Sequence, residues 1–331
     1  MTAPAMPSHP LSDAPPPYVL GTMALTGYYG AVAESQAAAT IARYLDVGGR
    51  CIDTADLYAN GGNETLVGRC LQGRRQGVLL ATKFGYTFGE RADQRGLDAR
   101  PERVQAACEA SLRRLGVEHI DLYYLHRVDP NVPIEDTWGA MARLVEQGKV
   151  RALGLCEVGP HTYRRAAAIH PVAVVQSEYS LWSREPEEEM LEFLRDAGSW
   201  FFGYASLGRG FLSGQVRRPE DFEPGDQRRD MPRFQGENFR RNVELVDALQ
   251  QLAREMGVTA AQLALAWCRR QGLASPIAGA TLPEHIDDAQ RAIALQVPAE
   301  VWARIDAVFP LGAATGERYN ASAMKRLETG R

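Results

Sequence analysis

The sequence has no apolar run near the roughly 18 residues that a membrane-spanning helix needs, and its first residues lack the basic, apolar and small-residue order of a secretion signal. Neither sign of charge is in large excess, since 37 Lys and Arg against 41 Asp and Glu give a formal net charge of −4. A surface without a net positive field has no general attraction for nucleic acid or an anionic membrane, and neither is an expected partner. Cysteine is scarce. The five residues Cys51, Cys70, Cys108, Cys156 and Cys268 are odd in number and never form a C-x-x-C pair, so they read as reduced thiols of a cytoplasmic protein. No H-x-x-x-H or clustered Cys/His spacing points to a metal. What remains is a chain whose 45% hydrophobic share can fill a sizeable core, which excludes a disordered or fibrous protein.

Residues 1–17 hold six prolines and no apolar period, and read as a disordered, Pro-rich tail. From residue 18 to residue 331 the chain alternates short apolar runs with amphipathic stretches. The runs near 19–23, 50–54, 78–83, 120–126, 150–156, 172–177, 200–205 and 276–279 are too short for helices and nearly all apolar, as parallel strands covered on both faces are. Between them Ala38, Ile41, Ala42 and Leu45, and later Ile134, Trp138, Met141 and Val145, form helical stripes. Gly48, Gly116, Gly148 and Gly198 stand where a period stops, the usual place of a left-handed helix cap. Residues 244–271 read as two helices interrupted at Gly257 and Thr259. Eight strand–helix cycles predict one α/β domain, a single (β/α)8 TIM barrel. Two long stretches after strands, residues 86–101 and 209–237, are candidate binding loops.

In such a barrel the residues that act stand at the C-terminal ends of strands. Strand two ends in Asp53 with Tyr58 shortly after it, strand three in Lys83 and strand four in His126. Adjacent strands lie about 4.8 Å apart, so an acid, a phenol, a lysine and an imidazole can converge on one pocket. A phenol gives up its proton poorly at neutral pH unless a cation stabilises its anion. Lys83 supplies that cation, Asp53 holds it charged, and His126 can hydrogen-bond a substrate oxygen that gains negative charge. The set has no nucleophile. It suits reduction of an aldehyde or ketone to an alcohol by an external hydride, which demands a nicotinamide or flavin cofactor.

Several ordered segments carry a resemblance: Ile52-Asp53-Thr54-Ala55-Asp56-Leu57-Tyr58, Asn63-Glu64-Thr65-Leu66-Val67-Gly68, Ala81-Thr82-Lys83-Phe84-Gly85, Asp121-Leu122-Tyr123-Tyr124-Leu125-His126-Arg127, Gln176-Ser177-Glu178-Tyr179 and Leu207-Gly208-Arg209-Gly210-Phe211-Leu212. With these the chain resembles the aldo-keto reductases over nearly its whole length. The resemblance implies that Tyr58 is the general acid, Lys83 tunes it, Asp53 pairs with Lys83 and His126 orients the carbonyl. It further implies that Gln176 holds the nicotinamide amide, that Tyr204 stacks on the nicotinamide ring, and that the backbone from Leu207 through Gly208 and Arg209 to Gly210 follows the pyrophosphate. Cys156, Glu157, Asn63, Gly279 and Asp288 are further candidates around the cofactor. Tyr28, Tyr29, Phe84, Tyr86, Arg127 and Trp182 are candidates to line the substrate pocket.

The resemblance makes NADP(H) the first expectation, and three departures qualify the cofactor site. After strand eight, Thr281 and Leu282 stand where the family carries a Lys or Arg for the 2′-phosphate, which makes NAD(H) the alternative, with Arg209 or a residue of the long loop near Arg228 as the replacement for the missing cation. Cys156 replaces a Ser or Asn that helps bind the carboxamide, and a thiol is the weaker donor. The segment Gly203-Tyr204-Ala205-Ser206 keeps the ring but lacks flanking prolines. A barrel glycosidase would need two carboxylates on strand ends, and His126 and Tyr204 stand at two of them. A nucleotide-sensing regulatory subunit with little turnover, as in the family's channel β subunits, is the rival reading from another class.

Overall fold

The computed structural model describes residues 9–89 and 96–328. Eight parallel strands close into a barrel in chain order: β1 Val19–Gly21, β2 Cys51–Asp53, β3 Leu79–Phe84, β4 Ile120–Leu125, β5 Val150–Cys156, β6 Val174–Glu178, β7 Trp200–Tyr204 and β8 Ser275–Gly279. All eight overlap the strands expected from sequence. Their near-continuous hydrophobicity has the physical cause anticipated, because successive side chains alternate between two dry layers. Val19, Cys51, Ala81, Leu122, Tyr124, Ala152, Val174, Phe202 and Ile277 fill the barrel. Leu20, Ile52, Leu80, Tyr123, Leu153, Val175 and Phe201 face the surrounding helices. Gly154 makes room for one large interior side chain, since a Cβ there would run into the Tyr124 ring.

The helices that follow the strands are α1 Glu34–Asp46, α2 Gly62–Cys70, α3 Pro101–Leu115, α4 Ile134–Glu146, α5 Pro160–Ala167, α6 Met190–Ala197, α7 Gly236–Glu255, α8 Ala260–Arg269, α9 Pro283–Ala294, α10 Ala299–Val308 and α11 Ala321–Met324. The interruption expected near Gly257 and Thr259 separates α7 from α8. Gly257 takes a φ of 69°, and the Thr259 hydroxyl accepts from the Gln262 amide while Gln262 Oε1 accepts from the Thr259 amide. The stripe on α4 is buried through Ile134, Trp138 and Met141. On α1 the buried face is Ala37, Thr40, Ile41 and Tyr44, one position off the expected stripe. The large Tyr44 ring draws the helix round, and its hydroxyl donates to the Cys51 carbonyl at 2.8 Å. Among the described residues no helix is long and apolar enough to cross a membrane.

Residues 1–8 of the expected tail lie outside the described residues. The rest closes the N-terminal end of the barrel: His9 stacks on Trp200 with ring centroids 3.7 Å apart, and Ser275 Oγ donates to the Pro16 carbonyl at 2.7 Å. At the opposite end, the two long stretches sit where they were expected. Thr87 N donates to Gly96 O and Asp98 N to Gly85 O, which closes the base of the first; residues 90–95 within it are outside the described residues. The second carries four short 3-10 turns between Phe211 and Phe234.

Candidate active site

Register brings the polar strand ends together. Gly21 pairs with Asp53, Asp53 with Ala81, Lys83 with Tyr124, Cys156 with Gln176, and Glu178 with Tyr204. A cavity of about 740 Å3 opens above this rim. Asp53, Tyr58, His126, Arg127, Gln176 and Tyr204 line one end, and Gly279, Thr281, His285 and Asp288 line the other.

Lys83 is fully buried, and its ammonium has three acceptors: an Asp53 carboxylate oxygen, the Thr54 carbonyl at 2.9 Å and Tyr58 Oη at 3.3 Å. Burial alone would drive the ammonium to lose its proton, but Asp53 and then Tyr58 beside it overcome that and hold it charged. Gln176 Nε2 donates to the other Asp53 oxygen at 2.8 Å, so the carboxylate is fixed from both sides. Burial pushes the Tyr58 phenol up to about 12, with Lys83 pulling the other way. The phenol therefore keeps its proton at neutral pH while standing beside a cation that would stabilise its anion. His126 follows directly on β4, its ring 6.1 Å from that of Tyr58 and 5.0 Å from that of Tyr86. Burial, then the charges of Arg127 and Lys83, hold the imidazole well below its usual pKa, so it is neutral. Its Nδ1 is buried and has no hydrogen-bond partner among the described residues.

Backbone strain collects on the same rim. All five non-glycine residues with positive φ among those described, Ala59, Asn60, Glu157, Ala205 and Arg209, lie within one residue of a cavity-lining or rim position. Leu207, Arg209 and Gly210 border the cavity, and Gly208 turns beneath them at φ 55° with its α-carbon packed against the Trp182 ring. Tyr204 Oη donates to Glu157 at 2.7 Å, and Arg318 grips the same carboxylate with two contacts of 3.2 Å. Arg209 pairs with Glu178 at 3.1 Å beneath the Tyr319 ring.

The sequence-based candidates divide accordingly. Tyr28, Tyr29, Tyr86 and Arg127 line the cavity. Phe84 and Trp182 do not: Phe84 is a fully buried ring stacked on Tyr123, and Trp182 packs on Phe211 under the loop. Both stand one step away from the cavity because the alternation of a strand, and the turn at Gly208, send them into the helix-facing layer. Asn63 is a fastener inside the fold, where Thr22 and Thr54 hydroxyls each donate to its Oδ1 at 2.6 Å. Cys156 is buried beside Gln176, and burial pushes its thiol up to about 12. Glu157 serves Arg318 and Tyr204. Asp288 accepts from Gln262 at 2.7 Å. Arg228 lines the cavity but is paired with Asp226. Sequence reasoning missed Arg318 and Tyr319, whose distance along the chain from Glu157 and Tyr204 left no local signal, and the role of Glu178 as anchor for Arg209 and Arg233.

The sequence profile of the aldo/keto reductase family matches residues 17–309. The chain belongs to the aldo/keto reductase family. Among its relatives, a probable aldo-keto reductase of Glycine max is 41% identical over 302 residues, 90% of this chain and 87% of the relative. An aldo-keto reductase of Schizosaccharomyces pombe, named with NADP(+), is 41% identical over 79% of this chain and 78% of its own. Among solved structures, a glycerol dehydrogenase from Gluconobacter oxydans superposes with a TM-score of 0.82 at 30% identity, covering 92% of this chain and 95% of that one. An aldo/keto reductase from Klebsiella pneumoniae in complex with NADP and acetate matches with a TM-score of 0.70 at 25% identity, over 93% and 96%. As a member of the aldo/keto reductase family the chain is an oxidoreductase built on a TIM barrel.

Proposed function

We propose that this chain is a carbonyl reductase that uses NADP(H), with NAD(H) as the alternative nucleotide, and that Tyr58 is the proton donor. The observation that carries this reading is the buried Lys83 ammonium held between Asp53 and Tyr58, two residues that line an open cavity. A bound reduced nicotinamide would supply the hydride. The cavity suits such a group: its volume falls in the range of small-molecule sites, it runs from the Tyr58 end to the Thr281 end, and a buried His126 nitrogen is left unsatisfied. The Tyr204 ring, Gln176 and the backbone of Leu207, Arg209 and Gly210 are the surfaces that would hold the nucleotide.

The chain's own part follows from its charges. Neutral His126 hydrogen-bonds the carbonyl oxygen and fixes it near Tyr58. As negative charge grows on that oxygen, Tyr58 delivers its proton, and the Lys83 ammonium stabilises the phenolate left behind. Asp53, braced by Gln176, keeps Lys83 charged and in place. Oxidation of an alcohol uses the same groups in reverse.

The relatives named for NADP favour that nucleotide, while the lack of Lys or Arg at Thr281 and Leu282 weakens the grip on a 2′-phosphate. Oxidation of NADPH and NADH, followed side by side with a set of aldehydes and ketones, tests the reading. Turnover with NADPH exceeding that with NADH supports it in full. Turnover with NADH alone replaces the nucleotide, and tight nucleotide binding without turnover of any carbonyl overturns the reductase.

A further inference from the structure

The cations around the cavity are not equivalent. Lys83 is paired with Asp53, Arg209 with Glu178 and Arg228 with Asp226. Arg127 differs. It is 7% exposed, it lines the cavity immediately after His126, and among the described residues its guanidinium has a single acceptor, the main-chain oxygen of His126, 2.6 Å from Nη1. No carboxylate of the described residues forms an ion pair with it. The acidic group that acts on its charge is Glu157, and that carboxylate is taken by Arg318 and Tyr204.

A guanidinium has five N–H donors in a planar fork matched to a carboxylate or phosphate. Burying one without an anionic partner costs several kcal/mol, because water is removed and nothing ionic replaces it. The fold could neutralise that cost with one carboxylate, as it does for Arg209 and Arg228 on the cavity lining and for Lys83 behind it. Instead the side chains whose electrostatics act on Arg127 first are the phenols of Tyr86, Tyr204 and Tyr319, which do not neutralise the arginine, and the Tyr204 proton is already given to Glu157.

We propose that Arg127 is the recognition site for an anionic group on the substrate, and that the preferred substrates are carbonyl compounds carrying a carboxylate or phosphate. This rests on the carbonyl-reductase reading and narrows it to a substrate class. Arg127 follows His126 in the chain and lines the same cavity, so the anion binds beside the carbonyl that His126 orients. A neutral aldehyde of equal size fills the same space and leaves the guanidinium unpaired.

The test compares benzaldehyde with 4-carboxybenzaldehyde, and butanal with 4-oxobutanoate, at saturating nucleotide. The wild-type protein favours the anionic member of each pair in kcat/KM by about tenfold or more, the scale of one charge-assisted fork. Arg127→Met brings that ratio close to one, mainly through KM, and Arg127→Lys restores part of it because the charge returns without the fork. Nucleotide affinity, measured by quenching of protein fluorescence, serves as the check on folding and on role. A wild-type ratio near one overturns the proposal. So does a loss in Arg127→Met that falls equally on both members of a pair, or that lies in nucleotide affinity, which would assign Arg127 to the cofactor. If no aldehyde of either kind is turned over, the reductase reading fails by itself, and binding of benzoate to the nucleotide-loaded protein then decides: protection against thermal unfolding in the wild type but not in Arg127→Met supports the anion site, and its absence in both refutes it.

Discussion

Replacing Lys83 with Met removes one charge from the centre of the site and leaves its volume nearly intact, so its effect can be worked from distances. The ammonium lies 3.3 Å from Tyr58 Oη. At an effective dielectric constant near 20, a unit charge at that separation stabilises the phenolate by about 5 kcal/mol. If the proton is about half transferred in the transition state, about 2.5 kcal/mol is lost, and kcat falls by about two orders of magnitude. The same change leaves Asp53 buried with Gln176 as its remaining side-chain partner, and an orphaned buried charge of this kind costs about 3–5 kcal/mol of stability. A second substitution, Asp53→Asn, removes that orphan. Steady-state turnover and urea denaturation of Lys83→Met and of the Lys83→Met, Asp53→Asn pair read the two effects separately. The double variant should be more stable than the single one and no more active. Turnover of Lys83→Met within about threefold of wild type would refute the electrostatic role given to this lysine. A double variant no more stable than the single would refute the orphaned-charge argument.

Two further outcomes follow from particular residues. Asp56 is almost fully buried with one oxygen unpartnered, and burial, then repulsion from Glu64, pushes its carboxyl up to about 8. The folded value lies above the unfolded one, so the stability linked to this proton is full below about pH 4 and is lost as pH rises toward 8; Asp56→Asn should flatten that decline, adding a few kcal/mol at about pH 8 and much less at about pH 5, and parallel denaturation curves at the two pH values would contradict it. Gly208 sits at φ 55°, where an added Cβ would meet the Trp182 ring at 2.5 Å. Gly208→Ala is therefore expected to cost about 1–3 kcal/mol and to weaken nucleotide binding through the displaced loop, whereas an unchanged melting temperature and affinity would show that the loop is not braced there.

The barrel was legible because each strand announces itself twice, by apolar composition and by its place in a repeating cycle. The convergence of the proposed catalytic set was legible for a related reason: Asp53, Tyr58, Lys83 and His126 are polar residues at or just after strand ends, and the register of neighbouring strands does the rest. Side chains that depend on which of two dry layers they enter were harder. Phe84 and Trp182 were expected in the pocket, and one step of alternation or one glycine turn sends each into the helix-facing core. The α1 stripe was displaced by one position because the size of Tyr44, not the period alone, sets the buried face. The least legible part is the ring of ion pairs above the rim. Glu157 meets Arg318 across 161 positions, and no periodicity encodes that contact.

Turnover of Tyr58→Phe with NADPH and a reactive aldehyde is the most direct test of Tyr58 as proton donor. The phenylalanine keeps the ring that faces His126 and removes only the hydroxyl beside Lys83. Nucleotide affinity should stay near that of the wild type while kcat drops by about three orders of magnitude or more. Near-normal turnover in the variant would show that the proton comes from another group, and the mechanism built on the Asp53, Lys83 and Tyr58 arrangement would be wrong.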